Sequence, residues 1–203
     1  YPKITAILRG YSYAEALFII EALTKVNCKM AVEVTANSDR FLEVVKEAKR
    51  RFANKILIGV GTVRTIDEAK NSISNGASFI LGPNVFSENI IRYAKENNVI
   101  TIPGAMTPSE IESMFDLDVN IVKVFPASVL GIDYFNRLKG PYGDMNLMAV
   151  GGINRNNIKA FQDAGVRYFG IGSSLFEKKF VKDLNEEKII ESVNDYIGLL
   201  EEK

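Results

Sequence analysis

An α/β fold of the (β/α)8 TIM-barrel class is predicted by three features of the sequence. Short apolar runs rich in β-branched residues alternate with longer amphipathic stretches from one end to the other. Helix-start signals recur between those runs. The first run ends in Leu8-Arg9-Gly10 with no GxGxxG behind it, which disfavours the rival, an open doubly wound sheet with a Gly-rich loop.

Eight strands are expected, at residues 4–8, 30–34, 56–60, 79–81, 99–102, 121–125, 147–150 and 168–171, each leading into a helical stretch. After the first strand, Ser12 and Glu15 form a capping box for a helix over residues 13–26, with Leu17, Ile20 and Leu23 toward the core. The helix after strand two ends in the charged stretch 46–51, the mark of a solvated face. Thr65 with Glu68 opens the third helix, and Thr107 with Glu110 opens the fifth. There Pro108 takes the first helical position, where a missing N–H does no harm. Gly76 and Gly165 stand where the third and seventh helices should stop. No linker or low-complexity tract interrupts residues 1–203, so a single domain is expected.

Composition removes several functions. With 25 basic and 25 acidic residues there is no excess of positive charge for nucleic acid. No apolar run reaches membrane-helix length, so no membrane partner is expected. Residues 1–10 lack the layout of a secretory signal, and the chain opens on Tyr rather than Met, so native residues are expected ahead of it. Cys28 is the sole cysteine, which rules out an internal disulfide, fits a reducing cytoplasm, and reads as a small buried residue. Histidine is absent. A Ser-His-Asp triad, a Cys-His pair and a histidine-ligated zinc are therefore excluded, and proton transfer falls to Lys, Glu, Asp, Tyr or Arg.

Barrel enzymes carry their reactive groups at the C-terminal ends of the strands. The polar residues there are Arg9, Glu33, Thr62, Asn84 and Lys123, with Gly151-Gly152 after strand seven and Gly172-Ser173-Ser174 after strand eight. Lys123 lies in Ile121-Val122-Lys123-Val124-Phe125-Pro126, where period two sets Ile121, Lys123 and Phe125 on one face. A parallel strand is covered on both faces, and a desolvated ammonium loses its proton more readily, which makes an amine nucleophilic. The competing reading is a lysine that snorkels out or pairs with a core carboxylate. Glu33, in Ala31-Val32-Glu33-Val34-Thr35, is a second charge in an apolar strand. Either the two share protons in one barrel mouth or they form a structural ion pair. The glycines after strands seven and eight suit an anion site, although tight turns use them too. Arg9 is either a bidentate anion ligand or an ordinary surface arginine.

These residues resemble the 2-keto-3-deoxy-6-phosphogluconate / 4-hydroxy-2-oxoglutarate aldolase family over nearly the whole chain. The matching segments are Ala6-Ile7-Leu8-Arg9-Gly10, Val32-Glu33-Val34-Thr35, Ile58-Gly59-Val60-Gly61-Thr62-Val63, Ile102-Pro103-Gly104, Met106-Thr107-Pro108, Lys123-Val124-Phe125-Pro126-Ala127, Gly151-Gly152-Ile153 and Gly172-Ser173. The resemblance implies a class I aldolase barrel, usually a homotrimer, with no metal or organic cofactor. It implies Lys123 as the Schiff-base lysine and Glu33 as general acid/base. Thr62 would meet the pyruvate carboxylate and Phe125 would pack beside the imine. Backbone at Gly151, Gly152, Gly172 and Ser173, with Ser174 adjoining, would hold a phosphate, and Arg9 would assist. The substrate would be a phosphorylated 2-keto acid cleaved to pyruvate and glyceraldehyde 3-phosphate, or 4-hydroxy-2-oxoglutarate cleaved to pyruvate and glyoxylate.

Two departures bear on the substrate. Val150 precedes the paired glycines where many phosphogluconate-type members carry Thr, and Asn37 stands where some carry Arg. With Pro83-Asn84, both resemble the phosphogalactonate-specific branch, which leaves the preferred epimer open. Two other functions fit parts of the pattern: a phosphate-binding barrel isomerase or synthase using Lys123 electrostatically, and a non-catalytic sugar-phosphate sensor.

Overall fold

The computed structural model describes residues 1–201. Its order is β1 (Ile4–Leu8), α1 (Tyr13–Leu23), β2 (Ala31–Thr35), α2 (Phe41–Phe52), β3 (Leu57–Gly61), α3 (Ile66–Ser74), β4 (Phe79–Leu81), α4 (Glu88–Glu96), β5 (Ile100–Ile102), β6 (Gly104–Ala105) and α5 (Pro108–Asp116). Then follow β7 (Val122–Val124), α6 (Ala127–Leu130), α7 (Ile132–Tyr142), β8 (Leu147–Val150), α8 (Ile158–Asp163), β9 (Tyr168–Ile171), α9 (Lys178–Lys182) and α10 (Glu186–Glu201). All strand pairs are parallel, in the order β5-β4-β3-β2-β1-β9-β8-β7-β6.

β5 and β6 stand at the two ends of that order but are neighbours in sequence, separated only by Pro103. The segment pairs with β4 before the proline and with β7 after it. Pro103 has no N–H to donate, yet its carbonyl accepts the Lys123 N–H at 2.8 Å. On the other side, Gly82 N donates to Ile102 O and Gly104 N to Asn84 O, each at 3.0 Å. The fifth strand of an eight-fold barrel is thus broken in the middle, and through it the ring closes.

Period two sorts the side chains into two cores. Outward residues such as Ala6, Leu8, Val32, Val34, Ile58, Val60, Val122 and Val124 pack under the helices. Inward residues Ala31, Phe79, Leu81, Ile102, Ile121, Met148 and Val150 fill the lumen. Tyr1 joins its lower end, edge-on to Phe79 and Tyr168, with its hydroxyl 2.8 Å from Thr5 Oγ1. Each large apolar side chain buried this way contributes about 1.5–3 kcal/mol.

The expected helix signals operate. Ser12–Glu15, Thr65–Glu68 and Thr107–Glu110 form reciprocal capping boxes, and Gly76 and Gly165 follow α3 and α8 with positive φ. Several expectations need correction. Strand two runs Ala31–Thr35 rather than 30–34, strand three Leu57–Gly61 rather than 56–60 and strand six Val122–Val124 rather than 121–125, and the first helix stops at Leu23 rather than at residue 26. The fifth strand starts at Ile100 rather than at residue 99 and resumes beyond Pro103. Cys28 is only half-buried, because it lies in the irregular turn before β2, where its Sγ approaches Lys29 O at 3.5 Å. Among the described residues, no helix is long and apolar enough to cross a membrane.

Candidate active site

β7 carries Lys123 into the upper lumen, opposite Gly104 of β6 and Met148 of β8. The residue is 7% exposed. Burial lowers its pKa; Glu33 opposes that shift and the positive charge of Arg9 adds to it. β2 carries Glu33, opposite Ile7 and Gly59. Glu33 is 2% exposed, and its Oε2 has no hydrogen-bond partner. Burial raises its pKa, while Lys123 and Arg9 pull it back. The two are close enough to feel each other but form no salt bridge, so the structural ion pair considered from sequence is not what is found. Desolvation pushes each toward its neutral form, the amine toward a free lone pair and the carboxyl toward holding its proton.

Room for these groups comes from what β3 lacks. Gly61 leaves open the space into which the Glu33 carboxyl leans. Phe125, 46% exposed, stands at the rim with its ring centroid 5.5 Å from Lys123 Nζ, and its edge packs on Gly151. Arg9 lies across the mouth. Its Nη1 donates to Asn37 Oδ1 and its Nη2 to Thr62 Oγ1, each at 3.3 Å. Thr62 holds φ at 62°, an uncommon conformation for a β-branched residue. Such strain is tolerated where the surroundings fix the side chain's direction.

Beside Lys123 lies a cavity of about 290 Å³ lined by Ile7, Arg9, Phe125, Val150 and the loops after β8 and β9. Gly151 and Gly152 take φ of 92° and 76°, and a β-carbon on Gly152 would come within 2.0 Å of Ser128 Oγ. Among the described residues, the N–H groups of Gly152, Ser173 and Ser174 donate to no protein acceptor. Uncommitted backbone donors in loops that line a cavity beside an arginine suit an oxyanion. The Ser174 hydroxyl is committed elsewhere, donating to Ile153 O at 2.5 Å.

Of the residues singled out from sequence, Arg9, Phe125, Gly151, Gly152, Gly172, Ser173 and Ser174 line this cavity; Thr62 adjoins it through Arg9, Lys123 through Phe125, and Glu33 interacts with both Lys123 and Arg9. Asn84 does not join them. Its carbonyl serves barrel closure instead. Ile7 and Gly61 belong to the site and were missed, although period two in β1 and β3 marks both as inward-facing.

A buried amine and a buried carboxyl at the mouth of a parallel barrel suit carbon–carbon bond chemistry through an imine, and the comparisons with known proteins identify the class as an aldolase, a carbon–carbon lyase. The chain belongs to the KDPG and KHG aldolase family, whose model it matches over residues 2–192. It is 33% identical to a probable 2-dehydro-3-deoxy-6-phosphogalactonate aldolase of Rhizobium meliloti (strain 1021), over 86% of this chain and 82% of that one. It is 32% identical to the 2-dehydro-3-deoxy-6-phosphogalactonate aldolase of Escherichia coli (strain K12), over 85% and 84%. A solved native KDPGal structure superposes with a TM-score of 0.88 at 27% identity, covering 99% of this chain and 97% of that one.

Proposed function

We propose that this chain, as one catalytic domain over residues 1–203, is a class I aldolase in which Lys123 forms a Schiff base with a 2-keto acid. The observation that carries the reading is the buried amine of Lys123, its pKa lowered, beside the unpartnered Glu33 carboxyl. The neutral Lys123 Nζ attacks the keto carbon, forming a C–N bond and a carbinolamine. Glu33 donates a proton to the departing hydroxyl, water leaves, and a protonated imine remains. Glu33, now a carboxylate, takes the C4 hydroxyl proton. The C3–C4 electron pair moves into the imine to give an enamine, and the aldehyde departs. Protonation at C3 and hydrolysis free pyruvate and Lys123.

Thr62 and Arg9 would receive the substrate carboxylate, and Phe125 would pack beside the imine; the Arg9–Thr62 hydrogen bond and the approach of Phe125 to Lys123 support these roles. Backbone at Gly151, Gly152, Gly172, Ser173 and Ser174 takes the phosphate of a 2-keto-3-deoxy-6-phospho-aldonate, which leaves as glyceraldehyde 3-phosphate. 4-Hydroxy-2-oxoglutarate, yielding pyruvate and glyoxylate, is the unphosphorylated alternative. Val150 presents an apolar wall with Ile7, where a hydroxyl could otherwise bond the sugar chain. Together with the two phosphogalactonate relatives, this favours the galactonate epimer.

The exposed apolar residues Val85, Met106 and Val129 follow β4, β6 and β7, neighbouring parts of the ring, and suit a contact between copies of the chain, which the family resemblance makes a homotrimer. The lone half-buried Cys28 is consistent with a reducing, cytoplasmic setting.

Incubation with pyruvate, borohydride reduction and mass mapping test the chemistry. An adduct on Lys123, lost in Lys123→Ala, is expected. Active protein without an adduct would favour the electrostatic isomerase or synthase reading instead.

A further inference from the structure

Both loops that line the anion cavity are fastened to one face of α10. From the loop after β8, Arg155 Nη2 donates to Ser192 Oγ at 2.8 Å and to Ser192 O at 3.2 Å. The same guanidinium pairs with Asp195 at 3.1 Å and lies 5.5 Å from the centre of the Tyr196 ring. To the loop after β9, the Tyr196 hydroxyl donates to Ser174 O at 2.8 Å and Ser192 Oγ to Leu175 O at 3.0 Å. Ser174 Oγ then joins the loops directly through Ile153 O. Residues 192, 195 and 196 are spaced i, i+3, i+4, so a single helix stripe makes all the ties.

These ties have a direction that packing alone would not need. A cavity that binds an anion through peptide groups must present N–H and turn carbonyl oxygens away, because an oxygen facing inward repels the ligand. Tyr196 and Ser192 draw the carbonyls of Ser174 and Leu175 toward α10, outside the cavity, while the N–H groups of Ser173 and Ser174 stay uncommitted. Both residues are buried, Tyr196 to 1% and Ser192 to 8% exposure, and neither lines the 290 Å³ cavity.

We infer that Tyr196, assisted by Ser192, is a positioning residue for the anion subsite, acting through the Ser174 and Leu175 carbonyls. The role rests on the reading of that cavity as a phosphate site.

Tyr196→Phe and Ser192→Ala in the full chain test it, with thermal melting followed alongside. Cleavage of a 6-phosphorylated 2-keto-3-deoxy sugar acid is compared with cleavage of its unphosphorylated counterpart. KM for the phosphorylated acid should rise about 3- to 10-fold, the range for one lost hydrogen bond, with kcat and both constants for the unphosphorylated acid held. Equal losses on both acids, or no loss on either, would overturn the positioning role while leaving the phosphate site standing. Wild-type protein with no preference for the phosphorylated acid would overturn the phosphate site itself, and the role with it. Should Tyr196→Phe fail to fold, Ser192→Ala decides by the same comparison.

Discussion

The Glu33 carboxyl stands in the space a side chain on residue 61 would need: a β-carbon on Gly61 would fall 1.6 Å from Oε1 and 2.1 Å from the carboxyl carbon. The acid/base group therefore depends on a missing side chain in the neighbouring strand. Gly61→Ala should push Glu33 off its position without touching Lys123. Turnover should fall on the order of 100-fold, the lower range for losing a general acid/base, while slow pyruvate adduct formation on Lys123 persists. Steady-state kinetics together with borohydride trapping check both halves. Unchanged turnover would mean that Glu33 has no part in the reaction.

Glu33 also leaves a signature in stability. Burial holds its pKa above the ordinary 4.5, against the pull of Lys123 and Arg9. Between those two values the folded chain keeps a proton that the unfolded chain has released, so wild-type stability falls as pH rises across the window. Glu33→Gln carries no such proton. Its Tm relative to wild type should move in the variant's favour as pH climbs through 4.5 and level off once the folded carboxyl ionises. A difference that stays flat with pH would show that the carboxyl is not raised.

Arg9 acts on both buried groups at once, lowering the pKa of Lys123 and that of Glu33. Arg9→Met should let both rise. Because Lys123 attacks as the free amine, the acid limb of adduct formation should shift to higher pH. KM for pyruvate should rise about tenfold, as for a lost charge-assisted hydrogen bond. Initial rates of trapped adduct across a pH series measure the first effect and saturation with pyruvate the second. An unmoved acid limb would place Arg9 outside the electrostatics of the site.

Lys123 and Glu33 are legible in the sequence because a charge inside an apolar, β-branched run contradicts its neighbours, and period two then assigns it a face. The helix starts are legible for a local reason: a capping box involves residues three apart, whatever the fold. What escapes is contact between distant segments. The apolar pattern at residues 99–102 shows a strand but not that Pro103 divides it between two neighbours. Gly61 reads as a strand glycine until Glu33 is seen leaning over it. Tyr196 reads as an ordinary aromatic on a helix's buried stripe, and only the fold shows its hydroxyl reaching a carbonyl 22 residues away in sequence. The half-exposure of Cys28 is not legible either, because a residue-type tendency to be buried says nothing about the turn that holds it.

The division at Pro103 bears on how the chain becomes competent. Strands β1 to β4 could associate, and β7 to β9 could join them, and the product would still be an open sheet whose inner face meets water. Lys123 would then be an ordinary charged lysine. Only when the segment spanning Ile100–Ala105 docks on both sides, with the Pro103 carbonyl taking the Lys123 amide proton, does the amine pass into a dry interior. The enhanced nucleophilicity of Lys123 thus belongs to the completed ring, because the burial that lowers its pKa exists only once both edges of the sheet are joined.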